Sequence, residues 1–139
     1  MKESHFQTLF GNYIRTHKFQ KSAVFELKIS KSTSLPFNVV KDHQIQALQA
    51  VTGEGFYYKI TDPPIFGNMQ TRFNAPRPFD CMLLKEIKAF IVIVFYHPRK
   101  PKQFIFIPIS TFLYERDSSH RKSLTEKRAL EISSGTIIL

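Results

Sequence analysis

The chain has no tryptophan, a single cysteine and few acids, with 11 Asp and Glu in 139 residues. A lone Cys81 cannot close an internal disulfide and offers no second thiolate for a zinc site. The five histidines, His5, His17, His43, His97 and His120, show no paired ligand spacing, which also argues against zinc. Long hydrophobic runs are missing as well. The longest, residues 89–96, has eight residues, far below the roughly 20 that a bilayer-spanning helix needs, so no membrane segment is expected. The N-terminal MKESHFQTLF lacks the apolar core and small-residue cleavage site of a secretory signal, so a cytoplasmic, intracellular location is expected. No Gly-rich phosphate loop occurs and no serine stands in a nucleophile-elbow context, which argues against nucleotide hydrolysis.

Phenylalanine and positive charge are abundant. Fourteen Phe within a 42% hydrophobic composition can bury a real core, and no repeat, low-complexity tract or long linker divides the chain. Residues 1–139 are therefore read as one domain. Twenty Lys and Arg give a formal charge of +9, which suits a polyanion partner. Nucleic acid comes first, ahead of an anionic membrane surface or simple solubility.

Hydrophobic periodicity organises the rest. Phe6, Leu9, Phe10, Tyr13 and Ile14 have helical spacing, and residues 23–29 alternate as a strand does. Val40, Ile45, Leu48 and Val51 predict a second helix over 38–51, ended by Gly53 and Gly55. Residues 56–60 and 79–84 read as strands, with an exposed basic loop at 65–78 between them. The unbroken apolar run 89–96 suits a strand buried on both faces, paired as a hairpin with 104–107 across the basic turn 97–102. A C-terminal helix is expected around 125–132, capped by Ser123 with Glu126 three residues on, and an apolar segment follows at 136–139. The expected fold class is α/β with a central mixed β-sheet flanked by helices.

Most of the acids lie at helix ends, in turns or on polar faces, but Glu26 stands inside an apolar strand. Residues two apart on a strand share a face, so Glu26 and Lys28 project together, opposite Phe25 and Leu27. On these residues alone two readings stand. One is an ordinary edge strand with alternating surface charge. The other is a phosphodiesterase centre, in which a carboxylate binds a divalent cation and a lysine beside it supports the attacking water or the phosphate charge.

The residues that follow are Thr33-Ser34-Leu35-Pro36-Phe37 and then Lys41-Asp42-His43-Gln44 at the second helix. From residue 25 to about 48 this combination resembles the RecU-type Holliday junction resolvases of the PD-(D/E)XK nuclease superfamily, and residues 89–114 resemble them more loosely. The resemblance implies a restriction-endonuclease-like core and a Mg²⁺ or Mn²⁺ cofactor. It casts Glu26 as metal-binding acid, Lys28 as catalytic lysine and Gln44 as the helix glutamine that organises the site. Glu3 would match the superfamily's early helix glutamate, with a first-turn Glu favoured by the helix dipole as the plainer explanation.

The superfamily's second acid, an Asp just before Glu-x-Lys, is missing here, because no acid lies between Glu3 and Glu26. Asp80, in Arg77-Pro78-Phe79-Asp80, is expected to replace it from a later strand paired beside Glu26. Some of Lys18, Lys21, Lys31, Arg72 and Arg77 are expected to meet DNA phosphates, with a solubilising surface charge as the alternative for each, and His43 either touches DNA or caps the helix start. The function expected from the resemblance is a metal-dependent endonuclease cutting Holliday junctions or other branched DNA. Symmetric nicking would call for a homodimer, with residues 136–139 as an interface strand or an ordinary edge strand. The rivals are a superfamily nuclease acting on duplex DNA and a non-catalytic DNA-binding module on the same fold.

Overall fold

The computed structural model describes residues 3–16, 23–59 and 81–139. Four strands form the central sheet: β1 (Ala23–Ser30), β5 (Lys88–Phe95), β6 (Gln103–Pro108) and β8 (Gly135–Ile138), in the order β1-β5-β6-β8. β1 and β5 run parallel, with Glu26 beside Ile91 and Lys28 beside Ile93. β5–β6 and β6–β8 are antiparallel, so the sheet is mixed, and the expected hairpin across residues 97–102 is present. Two small antiparallel ladders stand outside it. One joins β2 (Ser34–Pro36) to β7 (Ser123–Thr125), and the other joins β3 (Phe56–Lys59) to β4 (Cys81–Leu84).

The alternation of apolar residues explains the layers. On β5, Phe90, Val92 and Val94 face one side, while Ala89, Ile91, Ile93 and Phe95 face the other, and Ile91 to Val94 are fully buried. A strand that is apolar on both faces belongs at the centre of a covered sheet. Helix α1 (Glu3–Thr16) covers the first side. Its Phe6 and Phe10, one helical turn apart, bury there, and Phe10 stacks on Phe104 at 5.3 Å and meets Phe25 edge-on at 5.5 Å. Helices α2 (Asp42–Thr52), α3 (Ile109–Ser118) and α4 (Glu126–Ile132) cover the second side through Ile45, Leu48, Phe112 and Ala129. Among the described residues no helix is long and apolar enough to cross a membrane.

Several boundaries differ from the sequence reading. The helix expected over 38–51 divides into a 3₁₀ turn (Phe37–Val39) and α2, because Val40 adopts an extended backbone to bury its side chain. α2 ends as expected, with the Gly55 N–H donating to the Ala50 carbonyl at 2.7 Å. Gly55 has φ +109, and a Cβ there would meet the Leu83 side chain at 3.1 Å, so glycine is required. The cap of α4 is Thr125, the last residue of β7, whose hydroxyl accepts from the Arg128 N–H at 3.3 Å, and not Ser123 two residues before it. α3 was not expected. Pro108 closes β6 and occupies the helix N-cap, and the spacing Ile109, Phe112, Leu113 then continues as a helix.

α3 and α4 are joined by a forked ion pair. Arg128 donates from Nε and Nη2 to the two oxygens of Glu115, at 3.0 and 2.9 Å, and from Nη1 to Glu131 at 3.2 Å. Glu115 is buried, and its hydrogen bonds from Arg128, outweighing the desolvation that burial imposes, hold its carboxyl below the ordinary glutamate range. A carboxyl with a depressed folded-state pKa stabilises the fold fully above its unfolded value of about 4.3, and that stabilisation is lost as pH falls through the depressed value. Between pH 6 and pH 3 the urea midpoint is therefore expected to fall. In Arg128→Met the midpoint is expected to be lower already at pH 6, with a smaller further fall on acidification.

Candidate active site

β1 is an edge strand of the described sheet, and its residues alternate between two environments. Phe25, Leu27 and Ile29 pack against the α1 side. Val24 joins the opposite core, so Glu26, Lys28 and Ser30 face the side covered by α2. The Lys28 ammonium lies 2.9 Å from Glu26 Oε1, and the side chains are 12% and 26% exposed respectively. A solvated edge pair would leave both far more open. The covered lysine therefore distinguishes this arrangement from ordinary surface alternation.

Gln44 completes the cluster from the first turn of α2. Its Nε2 donates to Glu26 Oε1 at 2.7 Å, and its Oε1 accepts from the Lys41 N–H at 3.0 Å. Lys41 is the helix N-cap, and a lysine side chain can only donate. Of the two side-chain bonds of a capping box only the return from Gln44 is made, and the Gln44 N–H donates instead to the Lys41 carbonyl at 2.9 Å. The bond to Oε1 also fixes the amide orientation, because with Oε1 held by a backbone donor only the NH₂ can face Glu26. Gln44 thus links the start of α2 to the carboxylate 18 residues earlier. Beyond β1, Ser30 Oγ donates to the Ser34 carbonyl at 2.6 Å and closes the turn into β2.

Glu26 Oε1 therefore accepts one hydrogen bond, from Gln44, and pairs with the Lys28 ammonium, while Oε2 has no hydrogen-bond partner among the described residues. A hard divalent cation is held by one or two carboxylates together with waters and substrate phosphate oxygens, so Glu26 suits one such ligand position. Gln44 does not, because its oxygen faces the helix backbone. Among the described residues no three His, Cys, Asp or Glu side chains converge.

The structure thus brings together Glu26, Lys28 and Gln44, and leaves Lys31 and His43 exposed at the ends of the neighbouring loop and helix. Helix α1, which begins at Glu3, packs on the opposite face of the sheet, and the Glu3 side chain is not among those described. Asp80, Arg72, Arg77, Lys18 and Lys21 lie outside the described residues. The strand hydrogen-bonded beside β1 is β5, while β4, which starts just after Asp80, pairs with β3. The expected pairing of an Asp80 strand with β1 is therefore not made among the described residues. Sequence reasoning missed Lys41, whose backbone anchors Gln44. The Gln three residues after an N-cap position was the available signal.

A cleft of about 530 Å³ lined by Thr52, Lys88, Pro108, Ser110 and Ser134, among others, includes none of the three site residues and has Lys88 as its one charged group among the described residues. The chemistry at Glu26, and not the cleft's volume, marks the site. A scan against protein-family models, a search of curated proteins and a search of solved structures each return no match.

Proposed function

We propose that the protein is a Mg²⁺- or Mn²⁺-dependent DNA endonuclease on a PD-(D/E)XK-like core, cutting branched DNA such as Holliday junctions and acting as a homodimer. The observation that carries this reading is the convergence of a covered lysine and a carboxylate, one of whose oxygens is unengaged among the described residues, with an orienting glutamine from α2. Core packing alone does not call for such a cluster, since polar groups are costly to cover. The junction preference and the dimer rest on the family resemblance.

In this mechanism Glu26 would hold the ion, and Asp80, the second acid that the resemblance calls for, would join it. An ion held there would supply Lewis acidity toward the scissile phosphate. Lys28, held by Glu26 Oε1 at 2.9 Å, stands ready to donate to a phosphate oxygen as charge develops there. Gln44 keeps the carboxylate turned so that Oε2 remains available. The positive surface holds the DNA backbone.

The test compares cleavage of a four-way junction with cleavage of linear duplex of the same sequence, with and without Mg²⁺. Symmetric nicking of the junction is expected, and equal cutting of duplex would favour a general nuclease. Binding without any cutting would favour a non-catalytic module. Asp80→Ala is expected to abolish Mg²⁺-dependent cutting, and full activity in that variant would remove Asp80 from the ligand set.

A further inference from the structure

We infer that residues 31–33, residues 119–122 and Lys41 form a cationic rim that grips nucleic-acid phosphates next to the Glu26 cluster. The inference rests on the reading of DNA as substrate and names the surface that would hold it. The β2–β7 ladder brings these segments together. The Phe37 N–H donates to the Lys122 carbonyl at 3.2 Å at one end, and the Glu126 N–H donates to the Thr33 carbonyl at 3.0 Å at the other. Three residue pairs of extended chain separate these ends by about 10 Å, so the rim has room for more than one backbone phosphate. Lys41 follows β2 after the 3₁₀ turn, and its N–H donates to Gln44 Oε1 at 3.0 Å, so the rim and the Glu26 cluster share the start of α2.

The charges in this region do not balance. Glu115 is held by Arg128, Asp117 by Arg116 at 2.7 Å, and Glu126 by His97 at 2.9 Å. Lys31, Lys41, Arg121, Lys122 and Lys127 are all exposed, and none forms an ion pair among the described residues. Beside Lys122 lies a cleft of about 640 Å³, with Arg121 and Lys127 in its wall and the Arg128–Glu115 pair among its lining residues. Asp42, beside Lys41, is exposed and in no ion pair among the described residues, but the unpaired cations around the polar hollow outnumber it, which fits a phosphate backbone. Backbone phosphates carry charge but no sequence, so the rim should position DNA without reading its bases.

The test measures equilibrium binding of a labelled four-way junction and of linear duplex, without divalent metal, across a salt series. Arg121→Ala/Lys122→Ala is expected to reduce the slope of log affinity against log salt by about 2 and to weaken both DNAs by the same factor. Lys88→Ala, at the opposite end of β1 beside Ala23, is expected to leave the slope unchanged. A double variant that keeps the wild-type slope, or a Lys88→Ala loss equal to it, overturns the rim. So does wild-type protein that binds anionic vesicles but no DNA. If the double variant loses slope while wild-type protein with Mg²⁺ or Mn²⁺ cuts neither DNA, the rim stands and the nuclease reading falls. If wild-type protein cuts and the double variant keeps its slope, the rim falls and the nuclease reading stands.

Discussion

Glu26→Gln is expected to lower metal-dependent cleavage by at least the roughly 10²–10³-fold that a single stabilising group is worth in such a site, while the protein stays folded. The glutamine oxygen can still accept from Lys28 and Gln44, which now bond Glu26 Oε1 at 2.9 and 2.7 Å. What disappears is the negative charge a divalent ion requires. Lys28→Ala is expected to cost a similar factor by a different route, since it removes the positive group beside the phosphate and leaves the carboxylate in place. Cleavage rates at saturating metal, read beside urea midpoints, separate lost chemistry from lost folding. Glu26→Gln protein that cuts junctions at the wild-type rate would remove the site.

Phe112→Ala carries the largest expected stability loss, about 3–5 kcal/mol, out of a total that for a domain of this kind is roughly 5–15 kcal/mol. Phe112 is fully buried, and its ring meets Phe37 edge-on at 5.5 Å. Truncation would open a cavity beneath the junction of α3 with the chain leading into α2. The urea midpoint should fall steeply with little change in the slope of the transition. A loss under about 1 kcal/mol would mean that the neighbouring side chains collapse into the space.

The two helices differ in how legible they were. α1 shows its apolar stripe plainly, and Phe6 and Phe10 bury as the spacing implies. α3 follows β6 with no intervening loop, and Tyr114 within it is 73% exposed, so its short stripe is easily taken as an extension of the strand region. The start of α2 misled for another reason. Val40 fits a helical register, but burying it in the shared core requires an extended backbone, and tertiary packing outweighs the weak local preference. The cap of α4 shifted by two residues because β7 runs on through Thr125 and the helix starts only at Glu126, a strand-to-helix switch set by the β2–β7 pairing, which no local pattern reveals.

The amino-acid sequence by itself determined the alternating faces of β1, the doubly buried β5 and the excess of positive charge, because these follow from period-2 geometry and from composition. It also placed Glu26 and Lys28 on one face, since residues two apart on a strand must share it. Only the tertiary structure decided that this face is covered by α2, that Lys28 is nearly enclosed, and that the Gln44 amide turns its nitrogen to the carboxylate. It alone placed Lys122 beside Phe37 and so assembled the rim. The physical reason is range. A contact across 18 residues, or between loops at opposite ends of the chain, depends on how the layers pack, and no local pattern encodes that distance.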